Sequence, residues 1–327
     1  MDQQVDSNHR RNHPLEKLND PNNRYMRICA PMVRYSKLAF RELVRGYNVD
    51  LAYTPMILSD VFKHSQISRE TEFRTHQITD DPVIVQFAAS NPTDLADAAE
   101  LVARYTNGVD LNCGCPQKWA ISEGIGSYLM EHPELVRDMV KQVKSRTSSV
   151  KMANGTSFPC SIKIRIHSDL KKTVEFVRRA ESIGVDWITV HGRTRKQKNT
   201  EPLNMDGIRI AKESVGVPVF ANGNVLTLGD ADRLVEETRV DGVMAARGLL
   251  ENPALFSGYD TTPFECVEKF LKLSIGYGST HFITHHHLMY MLDASMERAE
   301  KRHFNCLSTT PAIIDYLSDH YGISVSN

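Results

Sequence analysis

No stretch of this 327-residue chain approaches the roughly 20 apolar residues that a bilayer-crossing helix needs, so no transmembrane span is expected. No secretory apolar core is evident near the first residues either. Cysteine is sparse. The six present (Cys29, Cys113, Cys115, Cys160, Cys266 and Cys306) form no CxxC pair and no disulfide framework. They read as thiols in a reducing compartment, with the cytoplasm expected and the nucleus as the alternative. Charge of one sign is also lacking. A net charge of -1 sets up no global field toward nucleic acid or membrane, so a nucleic-acid partner requires a local basic patch. No carboxylate or cysteine stands at a familiar zinc spacing around the cluster His281, His285, His286 and His287, so no metal is expected there. His281 and His285 share a helix face at i,i+4, and the cluster reads as a polar or RNA-facing surface.

What is present is regular. Eight apolar, strand-like runs recur at a steady stride: Arg27–Ala30, Leu51–Tyr53, Val83–Phe87, Val109–Asn112, Ser161–Ile166, Trp187–Val190, Val217–Ala221 and Gly242–Ala245. Helical patterns lie between most of them. Asn91-Pro92-Thr93-Asp94 opens one, His132-Pro133-Glu134 another, and Gly46 and Gly184 stop two more. Alternating strands and helices argue a parallel sheet, and eight strands argue closure into a (β/α)8 barrel. Residues 1–24 are polar and without period, and read as a flexible tail. Residues 25–258 hold the barrel. From about 259 to 327 the chain becomes helical without strands, over 261–277, 282–302 and 311–320, and reads as a small C-terminal helical domain. Two polar insertions, 59–80 and 147–159, interrupt the rhythm, the second expected to be mobile.

Polar signatures fall at the ends of these runs, where barrel enzymes carry their chemistry. Side chains alternate along a strand, so Ser161, Lys163 and Arg165 face inward while three isoleucines face the helices. A lysine inside a barrel is costly unless it meets an anion or a polar cofactor; the alternative, an antiparallel strand with a wet face, is disfavoured by the alternation of strands and helices. Asn222-Gly223-Asn224 and Ala246-Arg247-Gly248 follow the seventh and eighth runs, where barrels bind phosphate. Ala30-Pro31-Met32 offers a polarizable surface for a planar ring, or a methionine for the core. His191 ends the sixth run, near Lys163 and Gln86. In Asn112-Cys113-Gly114-Cys115-Pro116 a free thiol, mostly protonated at neutral pH, is a proton donor or a small buried hydrophobe. On chemistry alone Cys113 serves as well as Cys115. Arg34 and Tyr35, with Arg193, Arg195, Lys196 and Lys198, give the rim a basic character suited to a polyanion.

Ala30-Pro31-Met32, Gln86, the loop Asn112–Pro116, Lys163-Ile164-Arg165, His191-Gly192-Arg193-Thr194, Asn222-Gly223 and Arg247-Gly248 together resemble the tRNA-dihydrouridine synthases. The resemblance is closest to the eukaryotic branch acting at positions 20a and 20b of the D-loop. The runs Asn112–Ala120 and Gly242–Pro253 carry that finer likeness. The resemblance implies an FMN barrel, NADPH as reductant, tRNA as substrate and a helical tRNA-binding appendage. It further implies that Pro31, Met32 and Val33 line the flavin ring, and that Gln86, Lys163 and His191 meet its polar edge. Asn222, Gly223, Asn224, Ala246 and Arg247 would hold its phosphate, and Cys115 rather than Cys113 would be the general acid. Arg34, Tyr35, Asn112, Arg165, Arg193, Arg195 and Lys196 are the expected tRNA contacts, and the protein is expected to be a monomer. Two alternatives stand beside this reading. One is an FMN barrel acting on a small pyrimidine or enone. The other is an RNA-binding barrel without chemistry.

Overall fold

Eight short parallel strands form the expected barrel: β1 (Met26–Cys29), β2 (Leu51–Tyr53), β3 (Val83–Ala88), β4 (Gly108–Cys113), β5 (Cys160–Arg165), β6 (Ile188–His191), β7 (Val219–Asn222) and β8 (Gly242–Ala245). The computed structural model describes residues 11–325. Each strand pairs with its sequence neighbour, and β1 pairs with β8 to close the ring. A two-residue strand, Ile57–Leu58, adds to the upper part of β3. The strands are buried on both faces, as a sheet wrapped by helices requires.

Local sequence sets the helices between them. Asn91 caps the helix Pro92–Val102 by accepting the Asp94 N–H, with Pro92 at the first helical position. Thr227 and Asp230 form a reciprocal capping box for Leu228–Thr238. The insertion 59–80 folds into two short helices, Ser59–His64 and Gln66–Glu72. It is tied down by Asp80, fully buried, which takes two hydrogen bonds from Arg41 Nε at 3.0 and 3.2 Å and one from Nη2 at 2.6 Å. Arg41 spends its remaining donors on the carbonyls of Ser36 and Arg74. A buried pair so fully hydrogen-bonded specifies where the insertion lies.

The described part of the chain start differs from the flexible tail expected over 1–24. Residues 11–24 lie against the barrel, while 1–10 lie outside the described residues. Arg11 pairs with Asp81, Leu15 joins the core, and Lys17 reaches Asp50 at 2.7 Å. The polar composition hid this, because each anchor is one residue meeting a partner far along the chain.

The C-terminal part is helical as expected, with Phe264–Gly276, His281–Met291, Arg298–Asn305 and Thr310–Tyr321. The expected single helix over 282–302 is two helices, separated by a short turn at Asp293–Ser295. The histidine cluster is corrected more sharply. His287 is buried, stacks on Phe40 of the barrel with centroids 4.6 Å apart, and donates from Nε2 to the Tyr35 carbonyl at 3.1 Å. His285 is buried too and donates to the Phe304 carbonyl. These rings fasten the appendage to the barrel and hold it together. Burial lowers the His287 pKa to about 3, so this ring is neutral near pH 7. Among the described residues no cluster suits a metal, and no helix is long and apolar enough to cross a membrane.

Candidate active site

One face of the barrel interior is polar where branched apolar side chains usually fill it. Strand register explains which residues meet. Gln86 stands beside Asp110, Asp110 beside Ser161, Asn112 beside Lys163, and Arg165 beside His191, which stands beside Asn222. Register partners point to the same face, so the inward residues of β3 to β7 form one continuous polar lining.

Its deepest member is Asp110, fully buried. It accepts Gln86 Nε2 at 2.8 Å and Ser161 Oγ at 2.6 Å. Burial raises its pKa to about 6, against the two hydrogen bonds that favour the carboxylate. Gln86 then accepts Asn112 Nδ2 at 2.8 Å. Asn112 Oδ1 in turn accepts the backbone N–H groups of Gly114 and Cys115, at 3.1 and 2.9 Å. A single chain of hydrogen bonds therefore runs from a buried carboxylate to the cysteine loop. Asp110 is the residue that sequence reasoning missed. An isolated aspartate in Val109-Asp110-Leu111 gives no signal by itself, and its partners come from two other strands.

Cys115 sits past the end of β4, partly exposed, packed against the small buried cluster of Ala88, Ala120 and Ile125. Ser127 N–H donates to its carbonyl at 2.9 Å. Gly126, at φ +64, is needed there, because a Cβ would lie 2.7 Å from that same oxygen. Cys113 lies in the main core with no exposure, and burial drives its thiol well above the usual value. Of the two thiols left open by spacing, only Cys115 is at the mouth.

Lys163, half-buried, donates from Nζ to Asn222 Oδ1 at 2.9 Å, and Asn222 Nδ2 donates to the Met244 carbonyl at 2.8 Å. Three strands thereby fix one ammonium. Burial pushes its pKa down to about 8, with Arg165 adding repulsion. His191 is buried next to four cations, Lys163, Arg165, Arg193 and Arg247. Burial first, and then those charges, lower its pKa to about 2. The imidazole is therefore neutral at working pH, and its Nε2 faces Arg193 Nη1 at 3.4 Å.

Beside His191 is a cavity of about 120 Å³ lined by Asn222, Gly223, Asn224, Ala246 and Arg247, among others. Gly223 and Asn224 both have positive φ, 138° and 51°. Arg193 Nη2 and Arg247 Nη2 reach Asn224 Oδ1, at 2.8 and 3.5 Å. A Cβ on Gly248 would collide with the Val225 carbonyl oxygen, and one on Gly223 with the Leu203 side chain. Two loops are thus held close by glycines around a small, strongly positive space, which fits a phosphate group. Gly248→Ala is expected to separate these loops and weaken binding of a phosphate group about 10-fold or more. Binding of a phosphate-bearing ligand by calorimetry, with melting temperature as a folding control, checks this.

The expected tRNA contacts separate into two groups. Arg34, Arg195 and Lys196 are exposed on the rim. Tyr35 is half-buried, with its hydroxyl 3.3 Å from His286 Nδ1. Arg193 is corrected: it is only 1% exposed and is engaged by the Glu201 carbonyl at 2.7 Å, by Asn224 and by His191. Arg165 likewise binds protein, bridging the Gly114 and Thr194 carbonyls at 2.9 and 3.0 Å. It ties the cysteine loop to the loop after β6. Asn112 is buried in the relay. Pro31 and Met32 sit at the end of β1 with Met32 buried, whereas Val33 is 56% exposed.

Residues 28–313 match the family model described as dihydrouridine synthase. A human protein named tRNA-dihydrouridine(20a/20b) synthase [NAD(P)+]-like is 50% identical over 314 residues, covering 96% of each chain. The Schizosaccharomyces pombe tRNA-dihydrouridine(20a/20b) synthase [NAD(P)+] is 44% identical over 91% of this chain and 88% of its own. The protein of that name from Saccharomyces cerevisiae is 42% identical over 86% and 76%. Among solved structures, morphinone reductase in complex with tetrahydroNAD superposes with a TM-score of 0.50 at 10% identity, covering 73% of this chain and 89% of its own. That likeness is one of fold.

Proposed function

This chain belongs to the dihydrouridine synthase family, and from that premise we propose that it reduces uridine to 5,6-dihydrouridine at positions 20a and 20b of the tRNA D-loop, with FMN as cofactor and NADPH as reductant. The observation that carries the reading is the pairing of a pocket after β7 and β8, lined by Arg193, Arg247 and Gly223, with a thiol at the barrel mouth after β4. The names of the relatives support the substrate and the nicotinamide reductant.

In this reading Asn222, Gly223, Asn224, Ala246 and Arg247 would hold the FMN phosphate. Lys163, Gln86 and His191 would hydrogen-bond the polar part of its ring, and Pro31, Met32 and Val33 would pack on the ring. When bound, FMN supplies the hydride that reaches C6 of the uracil. The protein supplies the proton. Cys115 Sγ–H gives it to C5, the C5–C6 double bond is lost, and the thiolate left behind regains a proton from water. The sum is uridine, NADPH and one proton going to dihydrouridine and NADP+. The Asp110–Gln86–Asn112 relay positions the Cys115 backbone, so the acid is pre-aimed before substrate arrives. His191, kept neutral by burial and its neighbours, accepts or donates a hydrogen bond without adding charge. The target base must leave its stack to reach the mouth. Arg34, Arg195, Lys196 and the helical appendage, 259–327, meet the tRNA backbone.

The test is direct. Protein purified with its cofactor should release flavin mononucleotide on denaturation, identified by mass. It should also convert unmodified tRNA in the presence of NADPH. Release of a different flavin, or none, would overturn the cofactor assignment.

A further inference from the structure

A second space, about 550 Å³ in volume, lies between barrel and appendage. Its walls include Arg34 and Lys37 from the segment after β1, and Arg74 from the inserted segment. Thr280, Phe282 and Ile283 come from the start of the helix His281–Met291. The chemistry of these walls is mixed in a specific way. Three cations border the space with one exposed acid, Glu72, 4.0 Å from Lys37 Nζ; Lys37 also donates to the Thr71 carbonyl and Arg74 to the Glu70 and Tyr277 carbonyls, neutral partners that leave both charges unbalanced. Arg41 also borders the space, but its charge is consumed by buried Asp80. Phe282 is 47% exposed; its ring lies against the His286 ring with centroids 4.1 Å apart, and the Arg34 guanidinium stands 5.7 Å from its centroid. Helix His281–Met291 presents its N-terminal end here, with Thr280 Oγ accepting the Ile283 N–H, so backbone dipoles add positive potential. Arg34 is held at φ +73, a conformation a non-glycine residue keeps only where its surroundings enforce it.

A planar aromatic surface beside clustered cations and a helix N-terminus suits a ligand with one flat ring system and one phosphate. Arg34 directly follows Val33, at the rim of the barrel mouth. An occupant is therefore continuous with whatever enters that mouth. We propose that this groove receives an unstacked nucleotide of the tRNA strand flanking the target uridine, its base against Phe282 and its phosphate among Arg34, Lys37 and Arg74. The proposal rests on tRNA being the substrate. It adds a second base-holding point, at the seam between the two parts of the chain, that keeps the strand splayed while the target uridine occupies the barrel.

The experiment uses the full chain loaded with its cofactor. Phe282→Ala should raise the tRNA dissociation constant on the order of 10-fold or more, while Phe282→Tyr, which keeps a stacking face, should stay near the parental value. Lys37→Ala should lower the slope of log affinity against log salt by about one unit of phosphate contact. Flavin content, melting temperature and the KM for NADPH should not move in any of the three. Unchanged tRNA affinity in Phe282→Ala overturns the proposal. So does a raised KM for NADPH at constant tRNA affinity, which would give the groove to the adenylate half of the reductant. Failure of the functional reading looks different: the parental protein would bind no flavin or form no dihydrouridine. Loss of tRNA affinity on Phe282→Ala would still support the groove in that case.

Discussion

Cys115→Ala should cut the rate of dihydrouridine formation by roughly 10²- to 10⁴-fold, the usual worth of a positioned general acid. Cofactor content and tRNA affinity should be unchanged. The reasons are geometric. Cys115 is the partly exposed thiol at the mouth, while Cys113, two residues away, is sealed in the core, where burial drives its thiol well above the ordinary value. The Cys115 backbone is held by Asn112 Oδ1 on its N–H and by Ser127 N–H on its carbonyl, so the substitution removes a sulfur without loosening its loop. Single-turnover measurement separates the steps: reduction by NADPH should proceed at the parental rate while transfer to tRNA stalls. A variant that forms dihydrouridine normally would remove Cys115 from the mechanism. Cys113→Ala, by contrast, should leave the transfer rate near parental and show only a modest loss of stability from the buried volume.

Lys163 carries the second large effect. Its ammonium is below its ordinary pKa, at about 8, because burial penalises the charge and Arg165 repels it. The sign follows. Below that value the lysine is charged and offers a charge-assisted hydrogen bond, and above it the amine is neutral. An electron-rich ligand edge favours the charged form and moves the transition upward on binding. FMN affinity, followed by quenching of flavin fluorescence, should therefore be level below pH 8 and fall as pH rises from 8 toward 10. Lys163→Met should weaken FMN by about 10- to 100-fold at neutral pH, in line with the loss of one charge-assisted hydrogen bond, and should flatten that alkaline limb. A variant with parental affinity, or one that keeps the limb, would mean that Lys163 does not face the cofactor. His191 should contribute no limb between pH 5 and 8, since its folded value of about 2 keeps it neutral throughout.

Much of this was legible before any coordinates. The strands were, because β-branched and apolar runs with polar ends recur at barrel spacing; the eight runs from Arg27–Ala30 to Gly242–Ala245 each overlap an observed strand. The inward turn of Ser161, Lys163 and Arg165 followed from strand alternation alone. The proximity of the segments after β7 and β8 followed instead from their adjacent places in a closed barrel. What stayed hidden depends on long-range packing. The role of Asp110 exists only because Gln86 and Ser161, 24 and 51 residues away, arrive beside it. Arg193 looked like a rim cation in His191-Gly192-Arg193, and burial among Asn224, Glu201 and His191 turned it into a strut. His285 and His287 read as a polar surface because histidine is polar, and their burial is set by Phe304, Phe40 and the Tyr35 carbonyl. Residues 11–24 carry no period because their anchors, such as Arg11 and Lys17, act one at a time.

The central claim is that a positive cofactor pocket and an aimed thiol serve uridine reduction in the D-loop. Base-resolved dihydrouridine mapping of tRNA from cells lacking this protein tests it most directly. The account predicts that dihydrouridine disappears at positions 20a and 20b, persists elsewhere, and returns with the parental chain but not with Cys115→Ala. An unchanged profile, or full restoration by that variant, would contradict it.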